Sequence, residues 1–133
     1  MLSSLFDSTT LPLLEQAARF GERRQEVLAG NIANIDTPEY RRRDLPVEAF
    51  RTALKEAVSA RDASGGKANS AFPDELFRAI EPPPARMTFQ DGNDRGIEHE
   101  VMEMTKNTMM QSFAVEMMAA QLSMLEAVAS ERA

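Results

Sequence analysis

The residues best suited to chemistry stand together at His99-Glu100-Val101-Met102-Glu103. A helical His-Glu-x-x-His sets two imidazoles one turn apart for zinc, with the Glu as general base. Here Glu103 takes the place of the second imidazole, and the chain has no other histidine. Zinc sites draw on three or four protein ligands, so the motif is incomplete. The plainer reading is an acidic helix start, where Asp94, Glu98 and Glu100 meet the positive end of the helix dipole. A nucleophilic triad fails for the same reason, since His99 is the only base available to any serine. There is no Gly-rich phosphate loop. With no cysteine, disulfides, thiolate metal sites and thiol catalysis are excluded. The sequence therefore implies no catalytic residue, no metal and no cofactor, and the chain reads as no enzyme.

Three other groupings invite a function. Arg41-Arg42-Arg43 beside Tyr40 could meet phosphate, but in a chain of net charge −6 it reads better as a solvated or partner-facing segment. That balance also argues against nucleic-acid binding, which needs a basic surface to displace counterions. Seven of the nine methionines gather in the last third of the chain, where soft, adaptable side chains suit either core filling or an interaction face. Finally, Asn31 and Asn34 lie among Leu28, Ile32 and Ile35. Asn34 suits a helix end. Asn31 sits a full turn further in, and a buried Asn in a helical seam costs stability while fixing register.

The elements that must position these residues are helical. The chain has 133 residues, 43% hydrophobic but only 6% aromatic, which suits one domain of long Ala-, Leu- and Met-rich helices. A first helix is expected from about Leu11 to Asn34, capped by Thr9 or Thr10, with Pro12 in its first turn. Gly21, Arg24 and Gln25 interrupt its apolar stripe, and Thr37-Pro38 ends it. From Ile97 to about Ser130 there is neither Pro nor Gly. Val101, Met104, Thr108, Gln111, Val115, Met118, Leu122 and Leu125 follow steps of three and four, a heptad seam with two polar interruptions. A second row through Met110, Phe113, Ala114, Met117, Met124 and Val128 makes the apolar face wider than one partner helix covers. An isolated chain is thus expected to leave these stripes short of partners. Between the terminal helices, Asp44 is expected to cap a short helix carrying Leu45, Val47, Phe50, Leu54 and Val58. After it, SARDASGGKANSAFPDE reads as a flexible loop, EPPPAR as a stiff proline stretch, and Met87-Thr88-Phe89 as a short strand. No run approaches the ~18 apolar residues of a membrane span. The start, MLSSLFDSTTLPLLEQ, lacks the pattern of a cleavable secretory signal, so the default expectation is cytoplasmic unless export uses an uncleaved address.

The stretch LAGNIANIDTPEYRRRDL resembles the N-terminal signature of the bacterial flagellar rod and hook protein family. There a helix ends in Asn-x-x-Asn, followed by Thr-Pro-Gly-Tyr and a basic residue. Asn31, Ile32, Ala33, Asn34, Thr37, Pro38 and Tyr40 match it position by position, with Glu39 in place of the usual glycine. The short length and DGNDRGIEHEVMEMTKN, leading directly into the terminal helix, are similar to the proximal rod members. Gly96-Ile97-Glu98 departs from the family's usual apolar-acidic start of that helix. The match covers both ends, roughly half of the chain.

The resemblance implies a mainly α fold. Its long N- and C-terminal helices pack as an antiparallel coiled-coil pair, with a short helix, a flexible loop and minor β structure between them. The divisions are an N-terminal rod helix over 1–36, a connector over 37–96 and a C-terminal rod helix over 97–133. The implied role is a structural subunit of the proximal rod of the flagellar basal body, linking the MS-ring to the rest of the rod and transmitting torque. The motif residues would serve subunit packing, and Val101, Met104, Val115, Met118, Leu122 and Leu125 would form the C-terminal packing seam. Implied partners are other rod proteins (FlgC, FlgF, FlgG), the adaptor FliE, the MS-ring protein FliF, further copies of the chain and the type III export apparatus. No nucleic acid or small-molecule substrate is implied. The location would be the periplasm-spanning rod, reached without signal cleavage. The competing reading is a cytoplasmic helical adaptor, or export-chaperone-like module, that binds a client helix in a Met-rich groove.

Overall fold

Four α-helices and one 3-10 turn make up the regular structure of the computed structural model, which describes residues 2–66, 72–81 and 94–131. A short α1, Leu2–Asp7, had no signal in the periodicity. Helix α2, Leu11–Ala33, takes Thr10 as N-cap residue and carries a proline in its first turn. The Thr9 hydroxyl, rather than that of Thr10, accepts the Leu11 N–H at 3.3 Å. Helix α3 is Val47–Ala63, a 3-10 turn covers Asp74–Phe77, and α4 runs Asp94–Glu131. The mainly helical expectation holds, and α4 begins three residues ahead of the expected Ile97.

Minor β structure is not seen: no strand occurs among the described residues. A lone antiparallel bridge pairs Asp44 with Ile80, through Asp44 N–H to Ile80 O at 3.0 Å and Ile80 N–H to Asp44 O at 2.8 Å. Extending that bridge would next require N–H donors at Pro46 and Pro82, which have none. The expected strand at Met87–Phe89 and the proline stretch from Pro82 lie outside the described residues. Asp44 does not cap α3 either. Pro46 holds the N-cap position, because the Asp44 carboxylate is committed to Arg24 and to the Leu45 N–H.

The stretch read as a loop from Ser59 begins as helix and ends in a defined cap. Gly65 adopts a left-handed φ of 64°, the Gly66 N–H reaches Arg61 O at 2.8 Å, and the Gly65 N–H reaches Asp62 O at 3.5 Å. Those paired bonds are a Schellman motif, which satisfies the last carbonyls of α3. The buried Arg61 guanidinium then donates to the carbonyls of Asp7 and Thr9, tying α3 to the junction of α1 and α2.

The apolar core is small and aromatic. Phe20 of α2 stacks on Phe50 of α3 with ring centroids 4.0 Å apart. Phe72 lies 5.4 Å from Phe50, and Phe77 meets both Phe20 and Phe50 edge-on at 6.3 and 6.2 Å. Leu45 is buried with this group, and Val47, Leu54, Leu76 and Ala79 close around it. One face of α2 therefore serves α3 and the 3-10 turn, leaving another face free for α4. Truncation of Phe50 to alanine is expected to cost about 3–5 kcal/mol, read as a lower urea midpoint. A cost below about 1 kcal/mol, the size of an ordinary substitution, would mean that the ring stack is not the core of the fold.

Candidate functional site

The polar residues that interrupt the apolar stripe of α2 are the ones that face α4. Gly21, Arg24, Leu28 and Asn31 recur at steps of three and four and are all buried. Opposite them on α4, Glu100, Asn107 and Ala114 are buried, with Glu103, Met104, Gln111 and Met118 half-buried. The pairings run in opposite senses along the two helices: Asn31 with Glu100, Arg24 with Glu103, Gly21 and Gln25 with Asn107, and Gly21 with Gln111. Gly21 permits a close approach there, since a β-carbon at that position would lie 3.1 Å from Gln111 Cβ.

Asn31 is only 3% exposed, and each hydrogen-bonding group of its amide is used. Its Nδ2 donates to Arg43 O at 2.6 Å and to Glu100 Oε2 at 3.0 Å. Its Oδ1 accepts from Arg43 N–H at 3.1 Å and from the Tyr40 hydroxyl at 3.2 Å. The amide thus mimics a strand partner for Arg43 while also holding α4. Asn34 ends α2 as its C-cap residue. It donates from Nδ2 to Gly30 O at 2.8 Å and accepts the Thr37 hydroxyl at 3.2 Å.

The turn that follows returns the chain to Asn31. Tyr40 N–H bonds Thr37 O at 3.2 Å, with Pro38 and Glu39 at the corners and Glu39 at a φ of 63°. This fits a type II turn, which favours glycine at that corner. The family's usual glycine therefore marks a left-handed position that is kept here with a glutamate in it. Beyond the turn, residues 40–45 form a strap across the two helices. Asp44 receives Arg24 Nε and Nη2 through two bonds of 2.9 Å, and Arg24 Nη2 also reaches Glu103 Oε2 at 2.8 Å. Arg42 pairs with Glu100, while Arg41 reaches Glu81 at 3.3 Å in solvent. The Asp44 hydrogen bond raises the Arg24 guanidinium above its ordinary range. Arg24 in turn holds the Glu103 carboxyl below its own, burial opposing and Lys106 assisting. Of the HEVME residues, Glu100 and Glu103 thus act as structural carboxylates. No cluster of His, Cys, Asp or Glu among the described residues is arranged to hold a metal.

Away from α2, helix α4 exposes many large apolar side chains. Met109 and Met110 are 68% and 69% exposed, and Phe113, Val115, Met117, Leu122, Met124 and Val128 are exposed as well. No helix among the described residues is long and apolar enough to cross a membrane. No family model matches the chain. It is, however, 29% identical over 118 residues to the flagellar basal body rod protein FlgB of Escherichia coli K12, covering 81% of this chain and 83% of that protein. The FlgB proteins of Shigella flexneri and Salmonella typhimurium match at the same identity, the latter over 123 residues. Over four-fifths of its length the chain is thus similar to FlgB proteins of the flagellar basal-body rod. Those FlgB relatives are structural rod proteins and not enzymes.

The sequence motif and the C-terminal seam are distributed differently within the single chain. Asn31 and Asn34 spend their amides internally, and Thr37 and Tyr40 complete the same network. Ile32 is half-buried, while Ala33 and Pro38 are exposed. In the seam, Met104, Met118 and Leu125 are half-buried, whereas Val101, Val115 and Leu122 point to solvent. The face turned to α2 lies one residue earlier, through Glu100, Asn107, Ala114 and Gln121. Sequence reading missed it because three of these four members are polar. The signal was their own heptad spacing, matched by Gly21, Arg24, Leu28 and Asn31 on α2.

Two substitutions separate the parts of this network. Asn31→Leu preserves bulk but strands buried polar groups on Arg43 and Glu100, and is expected to cost at least about 2 kcal/mol in urea unfolding. Glu39→Gly relieves the left-handed strain, worth about 1–2 kcal/mol, against the added freedom of an unfolded glycine. A net gain of about 0.5–1 kcal/mol is expected, seen as a higher thermal midpoint. A lower midpoint would mean that the Glu39 side chain makes a contact worth more than the strain.

Proposed function

We propose that the chain is a subunit of the proximal rod that assembles through the uncovered faces of α4, joins the MS-ring to the rest of the rod and transmits torque by packing alone. The observation that carries this reading is the broad apolar surface of α4. Met110, Phe113, Met117, Leu122, Met124 and Val128 are all left open by a chain that shares four-fifths of its length with rod proteins. Contiguous exposed apolar surface of this extent marks an interaction site. Heterologous contacts between such faces generate rings or helical tubes rather than closed dimers. In that setting α2 and α4 form an antiparallel coiled-coil pair, and Val101, Val115 and Leu122 supply a second seam beside the internal one. The motif residues Asn31, Asn34, Thr37 and Tyr40 act indirectly, by fixing the shape of the end at which Ile32, Ala33 and Pro38 meet neighbours.

The partners on this reading are FliE, FliF, the rod proteins FlgC, FlgF and FlgG, and further copies of the chain. Delivery is through the type III export apparatus without signal cleavage, into the part of the rod that spans the periplasm. The cytoplasmic adaptor reading would use the same open helix face for one client helix and would keep the protein in the cytosol.

Leu122→Asp tests the assembly face. Leu122 is 43% exposed in the single chain, so the variant is expected to fold with an unchanged thermal midpoint. Placed inside a rod, the unpaired carboxylate would cost several kcal/mol, and incorporation should fail. Mass spectrometry of purified basal bodies reads this directly. Wild-type peptides beginning at Met1 or Leu2 should be present and those of the variant absent. Normal rods built from the variant would remove Leu122 from the assembly face, and a wild-type chain confined to cytosol beside intact basal bodies would favour the adaptor.

A further inference from the structure

The contact between α2 and α4 differs in kind from the rest of the interior. Where α2 meets α3 and the 3-10 turn, the buried groups are aromatic rings and leucine. Where it meets α4, the buried groups include the polar Arg24, Asn31, Glu100 and Asn107, with Leu28 and Ala114 as buried hydrocarbon beside them. Two carboxylates of α4 carry the charge of that contact. Glu100, with a side chain 4% exposed, faces Asn31 of α2 and Arg42 of the strap. Glu103, 19% exposed, faces Arg24 of α2, which it shares with Asp44 of the strap, and Lys106 of its own helix. His99, next along α4, is exposed.

We infer that α4 is a detachable arm, held to the rest of the chain by a charge latch formed by Glu100 and Glu103 against Arg42 and Arg24, and that neutralising these carboxylates releases it while the aromatic core stays folded. The latch joins α4 to both α2 and the strap, while α2 and the strap stay joined through Arg24–Asp44 and Asn31–Arg43. A carboxylate buried beside a cation holds its site only while ionised. With both carboxylates neutral, Arg24 keeps its two bonds to Asp44 and the exposed Arg42 is left to solvent, so neither cation any longer draws α4 to α2 and the strap. Among the described residues, the ring contacts on the α3 side of α2 contain no such pair. Release would free Met104, Ala114 and Met118 and add the inner face of α4 to the apolar faces already exposed. This goes beyond the rod reading and does not rest on it.

The direction with pH follows from Glu103. Its folded value is depressed by Arg24. The stabilisation it supplies is therefore complete above the ordinary Glu value of about 4.3 and is lost as pH falls through the depressed one. Methyl-labelled methionine NMR of the full chain provides the readout. Met104 and Met118 report the docked face, Met109 and Met110 are solvent-facing controls, and the ring signals of Phe20 and Phe50 report the core. On acidification below about pH 4, the Met104 and Met118 methyls should collapse to the unfolded positions while the phenylalanine rings stay dispersed. At pH 7 the double variant Glu100→Gln, Glu103→Gln should show the same split, with amide exchange in residues 97–118 faster by at least about tenfold and that of α3 unchanged. Simultaneous collapse of methyl and ring signals on acidification would overturn the inference by making the chain one cooperative unit. Methyls that keep their docked positions in the double variant would overturn it by showing that the charges do not hold the arm.

Discussion

One amide side chain closes the structure at its most constrained point. Asn31 joins three elements at once: the helix that carries it, the strap that folds back over it and the terminal helix beyond. No hydrocarbon could do this, since the site presents a backbone N–H, a backbone carbonyl, a hydroxyl and a carboxylate, all of which need partners. The surrounding features follow from that need. Asn34 stops α2 where the chain can turn, Pro38 and Glu39 form the turn, and Tyr40 completes the return. Arg43 is then delivered to Asn31, and Asp44 to Arg24.

The molecule divides its work between two kinds of interior. Stacked phenylalanines on one side of α2 supply apolar burial and tolerate small shifts of register. Ion pairs and amides on the other side supply little net stability and tolerate almost none, since a hydrogen bond fails within a fraction of an ångström. On the proposed rod role the chain must present its outer surface in one fixed arrangement, and the polar side suits that demand. The many exposed methionines and the exposed phenylalanine of α4 suit the complementary demand, a surface able to fit against several unlike neighbours.

Much of this was legible in the residues themselves. The limits of α2 and α4 follow from Pro12, Thr37-Pro38 and the long stretch free of Pro and Gly. Motif matching pointed to the rod proteins that the chain is similar to, and the buried character of Asn31 was visible from its apolar neighbours. What escaped were features that depend on distant partners. Asp44 looked like a helix cap because nothing local shows that Arg24, twenty residues earlier, claims its carboxylate. The Ser64-Gly65-Gly66 run reads as loose, yet its glycines provide the left-handed residue that ends α3. Of the expected seam of α4, Met104, Met118 and Leu125 are half-buried while Val101, Val115 and Leu122 are exposed, and hydrophobicity could not mark the polar Glu100, Asn107 and Gln121 that are covered with the former.

Helix α4 has 38 residues and α2 has 23, so about four turns of α4 have no turn of α2 to lie against. Within an unbroken helix, each residue is rotated about 100° from the one before it. The direction in which Met124 and Val128 face is thus set several turns away, where Glu100 meets Asn31. A slip of one residue there would swing the far end of the helix through more than a quarter of a circle. The polar contact is a phase reference, and the rigid helix carries its azimuth outward to side chains that touch neither α2 nor the strap.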